Sequence, residues 1–127
     1  MEGEAAMHGT CDYTVIHQEK LETGPHNPFD HEISFTLGSN AVLNVHSILT
    51  FTLGVTGGPT DIRITINDTG VASYHLVDGF FGTVNKVVGG GILQHGTNRL
   101  RFHLTAQNVT SLYAEDIAIW WFKNSLE

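Results

Sequence analysis

Through most of its length the chain alternates apolar and polar positions with a period of two. Ile33, Phe35 and Leu37 alternate with Glu32, Ser34 and Thr36. Ile62, Ile64 and Ile66 alternate with Arg63, Thr65 and Asn67, and Leu100, Phe102 and Leu104 alternate with Arg99, Arg101 and His103. Successive side chains of an extended strand point to opposite sides, so each run reads as a strand with one face in a core and one in water. From Ala41 to Val55 the odd positions are almost all apolar; Ser47 interrupts that face, and a bend or bulge is expected there. From Val71 to Val77, Ala72, Tyr74 and Leu76 share one face while Ser73 and His75 share the other. Phe80 to Val88 reads as a strand with an irregular start. A last strand from Glu115 to Phe122 is apolar on both faces, with Ile117, Ile119 and Trp121 opposed to Ala118, Trp120 and Phe122. That pattern predicts neighbours on both sides, or a covering loop or partner.

Turn chemistry separates these runs. Gly38-Ser39-Asn40, Thr56-Gly57-Gly58-Pro59-Thr60 and Asp78-Gly79 punctuate the chain, and Asn67-Asp68-Thr69-Gly70 is suited to a hairpin. The stretch Gly89 to Leu104 passes from a triple glycine through Ile92-Leu93 and a turn at His95-Gly96-Thr97-Asn98 into a strand. Ala106 to Ala114 reads as a loop or wide turn. No segment sustains a helical period. Roughly eight strands at short spacing predict an all-β, single-domain β-sandwich or jelly roll of about eight antiparallel strands. It occupies residues 32–122, between an irregular N-terminal segment over 1–31 that packs on the domain and a tail over 123–127. Within the first segment Tyr13 to His17 suits a short strand, and two prolines and a glycine between Thr23 and Pro28 make a loop.

Composition narrows the partners. The 127 residues are enough for one core without covalent staples, and the single cysteine, Cys11, forms no internal disulfide. The net charge is −7, with only six Lys and Arg, so no basic patch is expected to meet nucleic acid or an anionic membrane. No apolar run approaches the ~20 residues of a membrane-spanning helix. The start of the chain lacks a basic region followed by an apolar run, so a signal peptide is not expected and the chain reads as soluble.

The order of elements resembles the galactose-binding-like jelly roll, the fold of many carbohydrate-binding modules. The resemblance rests on Ile33-Ser34-Phe35, the apolar run Leu43 to Leu53 and a strand ending in Asn67-Asp68. It continues with Ile92-Leu93-x-x-Gly96-x-Asn98-x-Leu100-x-Phe102 and closes with Asp116-Ile117-x-Ile119. It covers residues 32 to 122 and implies a carbohydrate or other small polar ligand. It also implies a structural calcium between the N-terminal segment and the last strand, with Asp116 as the final-strand acid and Glu19, Glu22 or Asp30 as partners. One departure from the pattern is that both tryptophans sit in the last strand rather than on loops.

Candidate chemistry lies on the outward phases. Asn44, His46, Arg63, Thr65, Asn67, His75, Arg99, Arg101, His103 and Trp120 all fall on non-core positions. If their strands share a sheet, they line its concave surface. Planar donors and an aromatic face suit sugar hydroxyls and the apolar side of a pyranose, so His46, Arg63, His75, Arg101, His103 and Trp120 are the expected ligand contacts. Other motifs are weaker. The eight histidines include no His-x-His pair and no His-Glu-x-x-His, and His26 with Asp30-His31-Glu32 is the densest metal-like cluster. Cys11 near His8 and Asp12 does not amount to a dyad, and Gly89-Gly90-Gly91 lacks the Lys-Ser/Thr of a phosphate loop. Three readings follow. The first is a non-catalytic, lectin-like carbohydrate-binding module. The second is a cofactor-independent cyclase or isomerase with a pocket inside the sandwich, using His46, His75 or His103 as acid or base. The third is an assembly domain, a homo-oligomer packed through Trp120-Trp121-Phe122.

Overall fold

The computed structural model describes residues 9–23, 30–57, 59–104 and 109–124. Among them ten strands form two antiparallel sheets. The larger sheet contains β1 (Gly9–His17), β2 (Leu21–Thr23), β4 (Ala41–Val42), β5 (Ser47–Gly57), β8 (Phe81–Val88) and β10 (Val109–Asn124), ordered β1-β10-β5-β8 with β2 and β4 also paired to β10. The smaller sheet contains β3 (Asp30–Leu37), β6 (Thr60–Ile66), β7 (Thr69–Leu76) and β9 (Gly96–Leu104), ordered β3-β9-β6-β7. No described helix is long and apolar enough to cross a membrane.

The inward phases of the two sheets meet in one core. Leu49, Phe51 and Leu53 of β5 face Ile62, Ile64 and Ile66 of β6 and Leu100 and Phe102 of β9, and each of these eight is at most 1% exposed. Phe51 and Phe102 join the layers edge to face, with ring centroids 5.3 Å apart. Interdigitated apolar side chains between two twisted sheets are what hold such a sandwich together.

Three boundaries differ from the sequence pattern, each for a physical reason. The segment expected to be irregular supplies β1 and β2, and β1 pairs with β10 from Gly9↔Asn124 to His17↔Ile117. The long run from Ala41 breaks at 43–46, just before the buried Ser47. The last strand starts at Val109, inside the expected loop. Its early half was masked by a change of phase: Leu112 and Ala114 point inward before a bulge, and Ile117, Ile119 and Trp121 point inward after it. The bulge lies between Glu115↔Thr52 and Ala118↔Thr50, and Asp116 takes a positive φ of 53° within it. One inserted residue reverses the parity of everything that follows.

The turn chemistry is local and legible. Asn67 (φ 51°) and Asp68 (φ 67°) form the two-residue connection of the β6–β7 hairpin, where both central residues need left-handed backbone. The Asn67 side chain donates to Ile92 O (3.0 Å) and Asn98 Oδ1 (2.9 Å) and accepts from Arg99 N–H (2.9 Å). Asn98 is fully buried; its Oδ1 also accepts from Gln94 N–H, and its Nδ2 donates to the carbonyls of Gln94 and Gly96. A buried amide must find such partners, and here they clamp the turn before β9 onto the neighbouring hairpin.

Candidate functional site

The outer face of the smaller sheet carries the ionic groups. Pairing of β3, β9, β6 and β7 brings Asp30, Glu32, Arg99, Arg101, His103, Arg63 and His75 onto one surface. Asp30 lies opposite His103 and diagonally across from Arg101, whose Nε and Nη2 each donate to one of its carboxylate oxygens at 2.7 Å. That fork, with smaller contributions from the nearby histidines, holds the Asp30 carboxyl below its usual range despite partial burial. The same hydrogen bonds raise the affinity of the Arg101 guanidinium for its proton. Arg99 reaches Asp68 at 2.9 Å and Glu32 at 3.4 Å, and His75 Nδ1 lies 2.6 Å from Asp61. His103 Nδ1 is 3.6 Å from Asp30, shielded, and hydrogen-bonded to none of the described residues. Two shallow depressions mark this surface, one lined by Asp30, Glu32, Asp68, Arg99 and Arg101, the other by Arg63, Thr65, Asp68, Arg101 and His103. Arg99 and Arg101 both face it with carboxylates already on them.

The outer face of the larger sheet is of a different kind. Register places Tyr13, Trp120, Ile48 and Val87 side by side across four strands. All four are exposed, as are Val15 and Phe122 beside them. The Tyr13 and Trp120 rings lie 4.9 Å apart at a 37° tilt. Trp121, one residue on, points inward at 8% exposure and donates its indole N–H to Thr14 Oγ1 at 3.0 Å. Further along β5 the surface turns polar, with Thr50 beside Asn85 and Thr52 beside Thr83. The row after that is Tyr113, Gly54 and Phe81.

The six expected ligand contacts therefore divide. Arg63, His75, Arg101 and His103 share the outer face of the smaller sheet; Trp120 lies on the outer face of the larger one; His46 is exposed in the segment between β4 and β5. The expected metal ligands divide. Asp30 is held by Arg101 in the smaller sheet, whereas Asp116, at the β10 bulge in the larger, donates its backbone N–H to Gln18 O at 3.2 Å and so lies beside the segment carrying Glu19, which is exposed with an oxygen 3.9 Å from His17 Nε2. Among the described residues no group of three acidic, His or Cys side chains is arranged to hold a metal. Of the cluster around His26, the described part does not qualify either, and His26 lies outside the described residues. The histidines of the enzyme reading, His46, His75 and His103, lie outside the apolar layer between the sheets. Tyr13, Ile48, Phe81, Val87 and Tyr113 were not singled out from the sequence. The signal for two of them, Phe81 and Val87, was present as outward odd positions of β8, but an apolar residue on a strand gives no sign of which face meets solvent.

These features define an all-β jelly-roll sandwich of the kind that carbohydrate-binding modules adopt. No protein-family model matches the sequence, and no curated protein does. Solved structures share the fold. A variant of a family 29 carbohydrate-binding module aligns over 87% of this chain and 92% of its own, at a TM-score of 0.52 and 14% identity. Dimeric latent PorU from Porphyromonas gingivalis aligns over 91% of this chain with a TM-score of 0.71 and 10% identity, and this chain spans 13% of its length. A variant of BuGH86 in complex with neoagarooctaose aligns over 94% of this chain and 20% of its own, at a TM-score of 0.56 and 13% identity.

Proposed function

We propose that this chain is a non-catalytic carbohydrate-binding module and that the sugar lies on the outer face of the larger sheet. The observation that carries the reading is Trp120, 44% exposed and backed by Tyr13, with Thr50 and Asn85 one row away. A pyranose has one apolar face and a rim of hydroxyls. An exposed indole beside neutral hydrogen-bonding groups meets both requirements at once. The ionic face of the smaller sheet is a weaker candidate, because a sugar there has to displace Asp30 from Arg101 and Asp68 from Arg99. The fold likeness to solved sugar-binding modules supports the same reading.

The test is a glycan array followed by titration of the bound class, with Trp120→Ala and Arg101→Ala compared. We expect Trp120→Ala to weaken binding by about 2 kcal/mol, roughly 30-fold in Kd, and Arg101→Ala to leave it unchanged. The reverse pattern moves the site to the smaller sheet. The exposed apolar row also favours a second reading, in which a second copy of the chain covers it. Sedimentation at high concentration separates the two: a dimer abolished by Trp120→Ala, with no glycan bound by the parent, selects assembly.

A further inference from the structure

The larger sheet carries a second aromatic group at the far end of the same outer face. Phe81 is 70% exposed, the highest value among the exposed large apolar residues described. It lies directly opposite Gly54, and Tyr113 lies opposite Gly54 from the other side. The Tyr113 ring occupies the space above Gly54: a Cβ there would fall 2.1 Å from Tyr113 Cε1 and 2.6 Å from its hydroxyl oxygen. A glycine in the middle of a central strand sacrifices packing, and here the vacated space is filled by the neighbouring ring. Lys20 Nζ sits 4.4 Å from the centroid of that ring and pins it further. The row therefore carries an open phenyl ring on β8 and, on the other side of Gly54, a phenol with an ammonium group over it.

Register fixes the spacing between the two aromatic groups. Ile48, in the Trp120 row, and Gly54, in the Phe81 row, are six residues apart on β5. At the rise of an extended strand that is roughly 20 Å, several sugar rings rather than one. The floor between them is made of Thr50, Thr52, Thr83 and Asn85, neutral and short, with Glu115 at its margin. Thr50, Thr52, Thr83 and Asn85 carry no charge, and Glu115, directly opposite Thr52, disfavours an acidic sugar.

Building on the proposed sugar-binding reading, we infer that Phe81, Tyr113 and Gly54 form a second sugar station, so that the face takes a linear, neutral oligosaccharide running along β5 from Trp120 to Phe81. Binding then rises with chain length until both stations are occupied. Each station contributes independently, since nothing couples them except the chain that spans them.

The experiment is a calorimetric titration of β-1,4-linked gluco- and manno-oligosaccharides, from disaccharide to hexasaccharide, against the parent, Phe81→Ala, Phe81→Trp and Trp120→Ala. In the parent, the hexasaccharide should bind at least tenfold more tightly than the disaccharide. Phe81→Ala should remove about that factor from the hexasaccharide and leave the disaccharide unchanged, and Phe81→Trp should keep it. Trp120→Ala should weaken every length. A chain-length dependence unaltered by Phe81→Ala overturns the second station while leaving the first intact. Unchanged binding in Trp120→Ala overturns the underlying site and the inference with it; a parent that binds none of these oligosaccharides but does bind on the glycan array overturns the inference alone, and one that binds on neither overturns both.

Discussion

The two outer faces of this sandwich are built on the same core and solve the problem of solvent exposure in opposite ways. The smaller sheet covers itself with Arg, His, Asp and Glu, among which Arg99, Arg101 and His75 are already paired with carboxylates. The larger sheet leaves Trp120, Tyr13, Ile48, Val87 and Phe81 open, next to threonines and an asparagine. Charged rows look more like a binding site in a sequence, because Arg and His are the residues of recognition. Once the strands are paired, much of that recognition capacity is already used internally. The face with fewer charges is the one left with unmatched surface, and unmatched apolar surface is what a ligand or partner can gain by covering.

The substitution with the largest expected effect strikes what the faces share. Phe102→Ala removes the ring that meets Phe51 across the core and should cost about 3–5 kcal/mol. If the chain is one cooperative unit, denaturant curves followed by tryptophan fluorescence, which reports the larger sheet, and by far-ultraviolet dichroism should shift together. Separate shifts would mean that the two faces belong to independently stable layers.

Gly54→Ala comes next and touches the larger face alone. Its Cβ would collide with the Tyr113 ring, which has to swing off the strand, at a cost of about 1–3 kcal/mol. The matched control is Gly54→Ala combined with Tyr113→Ala, which should recover most of the loss in chemical denaturation. No recovery would show that Gly54 serves the backbone rather than the ring.

The smallest effect belongs to the ionic face. Asp30→Asn should cost less than about 1 kcal/mol at neutral pH, because the pair it breaks is half exposed. Its signature is in the pH dependence. Arg101 depresses the folded-state pKa of Asp30, so the pair's contribution is complete above the unfolded carboxylate value and is lost as pH falls through the lower folded value. Between neutrality and strong acid the parent should therefore lose more stability than Asp30→Asn. Parallel acid limbs for the two proteins would show that the fork contributes nothing.

Period-two alternation was enough to read the inward and outward sides of β3, β5, β6, β7 and β9, because each keeps one wet face over the stretch that was read. The same logic placed Arg63, His75, Arg101 and His103 outward, and these four do share a sheet. It could not place Trp120 relative to them, since parity says which side a residue takes and nothing about which sheet its strand joins. Only the second half of β1, Tyr13 to His17, was legible, because its inward side chains, Thr14 among them, are only partly buried and include polar groups. The early half of β10 escaped for a sharper reason: a pattern search assumes constant phase, and the bulge at Asp116 breaks it.

That bulge has a consequence for how the gene encoding this domain can drift. Upstream of it β10 pairs with β2, and downstream with β1, so one irregular residue sits at the hinge of a frame. Losing a single codon there would leave a strand of nearly the same length, yet it would exchange the destinies of adjacent tryptophans. Trp120 would turn into the core and Trp121 out to solvent. Substitutions along this strand can be sampled one at a time, whereas a change of length at Asp116 rewrites the inside and the outside together.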